Sequence, residues 1–237
     1  VALAKKIREL IGPDALFMVN TNSFKCPNTA PYINGLFMEN TKSDEPEDWQ
    51  LITDTLTWAE KSLRMPRVNC NETWAITGRQ DPDDIKRMRV TTALTLTRSN
   101  GFTVFADDND LDKPDHLHDY YDFWVKRLGR YLAEGFKRDD GAYQREFEKG
   151  TAIYNPIGNK EITVTFDEER TSVTTNLKSK THVVKAYDGD LFIMDEKDYK
   201  ILPEIKQEVI TDNNNDILLI VGVSLAALII TAGIIFI

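Results

Sequence analysis

The feature that most restricts the fold is a recurring unit: a short apolar run that stops at polar or acidic residues, followed by a helix-forming stretch. Ala15-Leu16-Phe17-Met18-Val19-Asn20 is the first run, and Tyr32 to Asn40 (YINGLFMEN) is the second. Pro66 to Trp74, within MPRVNCNETW, is the third, and Gly101 to Asp108 (GFTVFADD) is the fourth. Runs of this kind, with no alternating polar face, mark strands buried on both sides of a parallel sheet. Between them, residues 46–63 place Trp49, Ile52, Leu56, Ala59 and Leu63 at helical spacing. Asp81-Pro82-Asp83-Asp84 caps a further helix over about residues 82–99. An amphipathic helix over residues 1–11 precedes the first strand and stops at Gly12-Pro13. Strands and helices alternating at this spacing predict a parallel α/β sheet.

Four such units read as the C-terminal half of a (β/α)8 TIM barrel, assigned to residues 1–142. An open doubly wound sheet is the alternative, though it usually carries a Gly-rich phosphate turn, which this sequence lacks. From Tyr143 the pattern changes to short alternating segments split by Gly, Asn and Asp, which predicts a small antiparallel β-sandwich over residues 143–202. Residues 203–216 read as a polar tether. Residues 217–237 (ILLIVGVSLAALIITAGIIFI) are uncharged, and as a helix they would span about 30 Å, which predicts one C-terminal transmembrane helix. The flank Asp212-Asn213-Asn214-Asn215-Asp216 holds no basic residue. By the positive-inside rule the expectation is therefore a single-pass protein of the cell membrane with its soluble part extracellular. Val1 is not Met and opens on a helix already under way, so an upstream barrel half with an export signal is expected to precede it.

The net charge of −9 disfavours nucleic acid, whose phosphates an acidic surface repels. Two cysteines, Cys26 and Cys70, allow one bridge or two core thiols, but no disulfide scaffold. No Gly-x-Ser-x-Gly elbow, His-Glu-x-x-His or Cys-x-x-Cys occurs, and no cofactor is expected. His116 and His118 beside Asp115 and Asp119 have ligand-like spacing, but their aromatic neighbours favour a packed loop, and no metal is assigned.

In a parallel barrel the strand C-terminal ends surround the active site. The assigned rim is Asn20, Asn22, Glu39, Asn40, Asn69, Glu72, Trp74, Asp107 and Asp108. Carboxylates from different strands can flank a glycosidic bond, one protonating the leaving oxygen while the other attacks or activates water. Glu39, Glu72 and Asp107 are the catalytic candidates. Asn20, Asn22, Asn40, Asn69, Trp74 and Asp108 are the substrate-binding candidates, with Trp74 to stack on a sugar and the asparagines to bond hydroxyls. Each has a plainer reading: Asn71-Glu72-Thr73 is also a glycosylation sequon, and Asp107-Asp108 also a helix cap or turn.

The order IRELIGPDALFMVNTN, YINGLFMEN, GFTVFADD, HDYYDFWVKRLG and YQREFEKGTAIYNPIGNKEITVTF resembles the distal half of hypothetical glycosyl hydrolase family fifteen, a group of TIM-barrel glycoside hydrolases. The strongest likeness is Arg145-Glu146-Phe147-Glu148-Lys149-Gly150 running into Tyr154-Asn155-Pro156, with Lys149 where Asn is common. It covers about residues 1–195. The resemblance implies a polysaccharide-acting barrel, with Glu39 as the matching rim carboxylate and a second acidic residue on an upstream Asp-Gly-x-x-x-Asp strand that this chain lacks. The expected function is cleavage of O-glycosidic bonds in a polysaccharide or oligosaccharide by a carboxylate pair. The alternative is a noncatalytic carbohydrate-binding or cell-envelope surface protein with a degenerate barrel.

Overall fold

The helix expected at the start is α1 (Ala2–Ile11), and the four apolar runs become β1 (Met18–Asn20), β2 (Gly35–Glu39), β3 (Cys70–Trp74) and β4 (Phe102–Ala106). The two connecting helices are α2 (Pro46–Ser62) and α3 (Pro82–Arg98), each with proline in its first turn, where the missing N–H costs nothing. The computed structural model describes residues 1–40, 43–78, 81–106 and 120–203. Residues Val1–Leu202 form one compact unit.

The four strands are parallel and lie in the order β1-β2-β3-β4. The expected half barrel is corrected on this point. The sheet is open, with β1 and β4 as its edges, and no TIM barrel is present among the described residues. A doubly wound sheet does not fit either, because the strand order never reverses and so makes no switch point. One face is packed by helices. Leu36 and Met38 join Trp49, Ile52, Leu56 and Ala59 of α2 and Val90, Ala93 and Leu94 of α3 in a single core.

The expected β-sandwich is also corrected. Strands β5 (Phe136–Lys137), β6 (Tyr143–Phe147), β7 (Gly150–Asn155), β8 (Ile162–Ser172), β9 (Lys178–Val184) and β10 (Asp188–Ile193) form one antiparallel sheet, in the order β5-β6-β7-β10-β8-β9. Its partner layer is α3, which touches β6, β7 and β10 as well as β3 and β4. At Gly189 a Cβ would lie 2.4 Å from the Ala93 Cβ, so glycine is what lets β10 approach the helix this closely. Ile153, Ile162, Val164, Phe166, Val184 and Phe192 form a smaller core of their own within this sheet.

Being covered on two sides explains the composition of α3. Thr91, Thr92, Thr95 and Thr97 are all buried, and each hydroxyl donates to the carbonyl four residues earlier. A threonine can thus sit in a dry helix without leaving an unsatisfied hydroxyl. Arg89 ties the helix to β10 with two hydrogen bonds to the Asp188 carboxylate, at 2.9 and 2.8 Å.

Among the described residues, no helix is long and apolar enough to cross a membrane. The transmembrane helix, and the single-pass extracellular placement that rested on it, are withdrawn. Residues 217–237, on which that expectation fell, lie outside the described residues.

The passage Arg145 to Pro156, which carries the family likeness, is architectural. Arg145 is 2% exposed and donates to the carbonyls of Ala133, Leu96 and Ser99 and to the Asn100 side chain, closing the end of α3. Burial lowers the pKa of this guanidinium, and Glu134, 3.9 Å away and itself exposed, offsets part of that. Glu146 accepts from Thr151, Gln144 and Arg170. Asn155 donates to the carbonyls of Lys160 and Lys185 and fixes the turn between β7 and β8.

Glu148 accepts from Arg130 through both backbone and side chain, and from the Leu202 N–H. These bonds hold its carboxyl down at about 2, from an ordinary 4.5. A lowered folded value means that the stabilisation is complete above pH 4.5 and is lost as pH falls toward 2. Urea midpoints of the wild-type chain and Glu148→Gln should therefore differ at pH 7 and converge across that window. A gap that persists at pH 2 would refute the assignment.

Candidate functional site

Register decides which rim residues can act together. Glu39 and Glu72 are Cα partners across β2 and β3. Directly paired residues of parallel strands point to the same face and lie about 4.8 Å apart. By the same ladder Phe37, Cys70, Trp74, Phe102, Val104 and Ala106 share that face, opposite the one packed by α2 and α3. The two carboxylates are unlike. Glu39 is half-buried at the strand tip, and its Oε2 accepts from Asn20 Nδ2 at 2.8 Å. Glu72 is 0% exposed and sits in a wall made with Cys70 and Trp74. Burial, and then the neighbouring Glu72 charge, push the Cys70 thiol up, so that it stays protonated. Cys26 and Cys70 are both free, which settles the bridge question against a disulfide.

Asn22 sits beside this pair on an exposed turn with φ 49°, a left-handed conformation that asparagine tolerates, and its N–H donates to Asn20 Oδ1. Trp74 is 6% exposed and spends its indole N–H on the Asn40 carbonyl at 3.1 Å. It is therefore a wall of the site, with no open ring for a sugar to stack on.

The remaining rim candidates separate. Asn40 follows Glu39 and turns the other way. It is buried, accepts from Ser23 at 2.8 Å, and donates to Asn71 and to the Glu72 carbonyl. Asn71 in turn donates to Thr95 of α3 at 2.8 Å. This relay fixes the tip of β2 against β3 and leaves Asn40 no role toward a substrate. It also buries the sequon asparagine, so the folded chain offers no glycosylation site there. Asn69 stands at the opposite end of β3, accepting from the Leu36 N–H and donating to Glu60. Asp107, Asp108, His116 and His118 lie outside the described residues.

One residue of this neighbourhood escaped the sequence reading. Asp84, taken as part of a helix cap, is 3% exposed and accepts from the backbone N–H groups of Ile76, Thr77 and Gly78 at 2.8, 2.7 and 2.7 Å. It clamps the loop that leaves β3 beyond Trp74. The available signal is an aspartate three residues past the cap Asp81, in the first turn of α3. Asp84→Ala removes the charged acceptor of three loop N–H groups and should cost about 1–3 kcal/mol in urea unfolding, while Asp84→Asn keeps one acceptor and should cost about half as much. Equal and small losses for both would contradict the clamp.

No protein-family model matches the chain, and none of the curated proteins matches it.

Proposed function

We propose that the chain acts on carbohydrate, hydrolysing an O-glycosidic bond between Glu39 and Glu72. The observation that supports this reading is the register pairing of the two carboxylates on one sheet face, one reachable from solvent and the other enclosed. Hydrolysis needs two such groups. One gives a proton to the departing sugar oxygen as the C–O bond breaks, and the other assists the carbon centre that water finally attacks. Neighbouring strands hold the pair at short spacing, which favours a glycosyl-enzyme intermediate and retention of configuration. Asn20, which steadies Glu39 at 2.8 Å, and the exposed Asn22 are the groups placed to meet hydroxyls. The test is incubation of the full chain with an oligosaccharide panel, following products by mass and anomeric configuration by NMR. Products from no member of the panel would end the hydrolytic reading.

A second reading, a noncatalytic carbohydrate-binding surface, draws on the same Asn20–Glu39 pair. An amide held against a carboxylate offers fixed donors and acceptors to sugar hydroxyls without any chemistry. Saturable binding with no product over days would favour it.

A further inference from the structure

Tyr32 and Arg64 come before β2 and β3, at the opposite strand ends from Glu39, and there the described residues gather several cations around a single carboxylate. A cavity of about 320 Å3 opens beside α1, lined by Lys5, Arg8, Glu9, Pro13, Tyr32 and Arg64. Arg8 is 9% exposed, and its guanidinium meets only neutral acceptors. These are the carbonyls of Tyr32 at 2.9 Å, Gly12 at 2.9 Å and Ala15 at 2.6 Å, and Asn34 Oδ1 at 2.6 Å. Arg64 donates through Nη2 to the Pro13 carbonyl at 3.0 Å, while its Nε–H is buried and has no acceptor among the described residues. Lys5 has no ion pair among the described residues. The only carboxylate on the cavity among the described residues is Glu9, which lies 3.7 Å from Lys6.

Three cations thus converge against one carboxylate, in a chain with 38 acidic and 29 basic residues. Capping the end of α1 accounts for Arg8 by itself, because its bonds take up carbonyls there. It does not account for Arg64 and Lys5 being drawn to the same space. Burying a guanidinium costs several kcal/mol unless charge or well-placed dipoles answer it. Here carbonyl and amide dipoles answer Arg8 in full, Arg64 has one such bond, to Pro13, and Lys5 has no ion pair among the described residues. The Tyr32 ring and Pro13 supply apolar wall, and the volume stands at the lower end of the range for small-molecule sites.

We propose that this cavity binds a small organic oxyanion, a ring-sized molecule carrying a phosphate or carboxylate group. The anion would sit between the Arg64 guanidinium and the Lys5 ammonium and lay its body against Tyr32 and Pro13. The site is independent of the carbohydrate reading.

The test is thermal unfolding and calorimetric titration of the full chain at constant ionic strength, with phenyl phosphate and benzoate as probes and phenol as the uncharged control. At least one oxyanion should raise the midpoint saturably, while phenol leaves it unchanged. The tighter probe identifies the preferred anionic group. Lys5→Gln, at an exposed residue whose side chain has no ion pair among the described residues, should weaken that binding about threefold to fivefold. The double variant Lys5→Gln/Arg64→Gln should weaken it at least tenfold, and its ligand-free midpoint reports whether the fold is intact. Absence of saturable binding by either oxyanion, or equal affinity in the wild-type chain and Lys5→Gln, would overturn the proposal.

Discussion

Arg145→Ala is expected to cost the fold about 3–5 kcal/mol, a large loss for a single side chain whose one ion pair among the described residues, to the exposed Glu134, is 3.9 Å long. The reason is where its donors go. Four hydrogen bonds from one buried side chain serve the carbonyls of Leu96, Ser99 and Ala133 and the Asn100 side-chain oxygen. Removing them strands several acceptors where water enters poorly, and it also leaves a void the size of an arginine. The guanidinium further lies 4.0 Å from the Tyr131 ring centroid, a stacking contact that alanine cannot replace. For a unit of this size such a loss lowers the melting midpoint by roughly 10 °C or more. Arg145→Lys should recover only a small part of it, because an ammonium cannot reach acceptors spread over a planar fork. Arg145→Met fills most of the volume and so separates lost bonds from lost packing. A loss below about 1 kcal/mol for Arg145→Ala would show that the α3 end does not depend on this residue.

Glu39→Gln is the change expected to matter most for activity. The glutamine carbonyl can still receive the Asn20 amide N–H, so the strand tip keeps its contact and the melting midpoint should move by no more than about 2 °C. Turnover should fall by about a thousandfold or more, because an amide neither accepts a proton at neutral pH nor forms a glycosyl ester. Asn20→Ala should give a smaller loss, about tenfold, with KM affected along with kcat, since Asn20 holds Glu39 and, in the proposed function, contacts the sugar hydroxyls. The comparison distinguishes catalysis from binding. A Glu39→Gln variant with unchanged turnover ends the assignment, and one that binds and turns over no worse than Asn20→Ala removes Glu39 from any covalent step.

How much of this could be read from the sequence depends on how local the cause is. The helices came out within a residue or two, since capping aspartate, first-turn proline and apolar spacing are written into neighbouring residues. Trp49, Ile52, Leu56, Ala59 and Leu63 are the buried stripe of α2 that their spacing announced. The strands were located, but their ends were not. The third run was read from Pro66, whereas pairing with β2 and β4 begins at Cys70, and this placed Asn69 on the wrong end of the sheet. Facing was equally hidden. Glu39 and Asn40 are adjacent in the chain and part to opposite sides of the sheet, because the side chain alternates at every strand residue. Strand order in the antiparallel sheet was illegible for a different reason. β10 enters between β7 and β8, a pairing across about 20 residues or more that no local alternation encodes. Closure of the parallel sheet was overread: the repeat announces βα units, and only the number of strands decides whether they meet.

The position of α3 has a consequence for how the chain can be divided. The helix hydrogen-bonds through Thr95 and Thr91 to the back of β3, the strand that bears Glu72, and through Arg89 to the opposite sheet. Each sheet therefore borrows the same rod as its floor, and neither half owns it. A cut anywhere between them would hand one piece a helix with a bare greasy flank and leave the other a sheet with nothing beneath it. The natural seam suggested by the change in strand pattern near Tyr143 is, mechanically, the place where the protein is least separable.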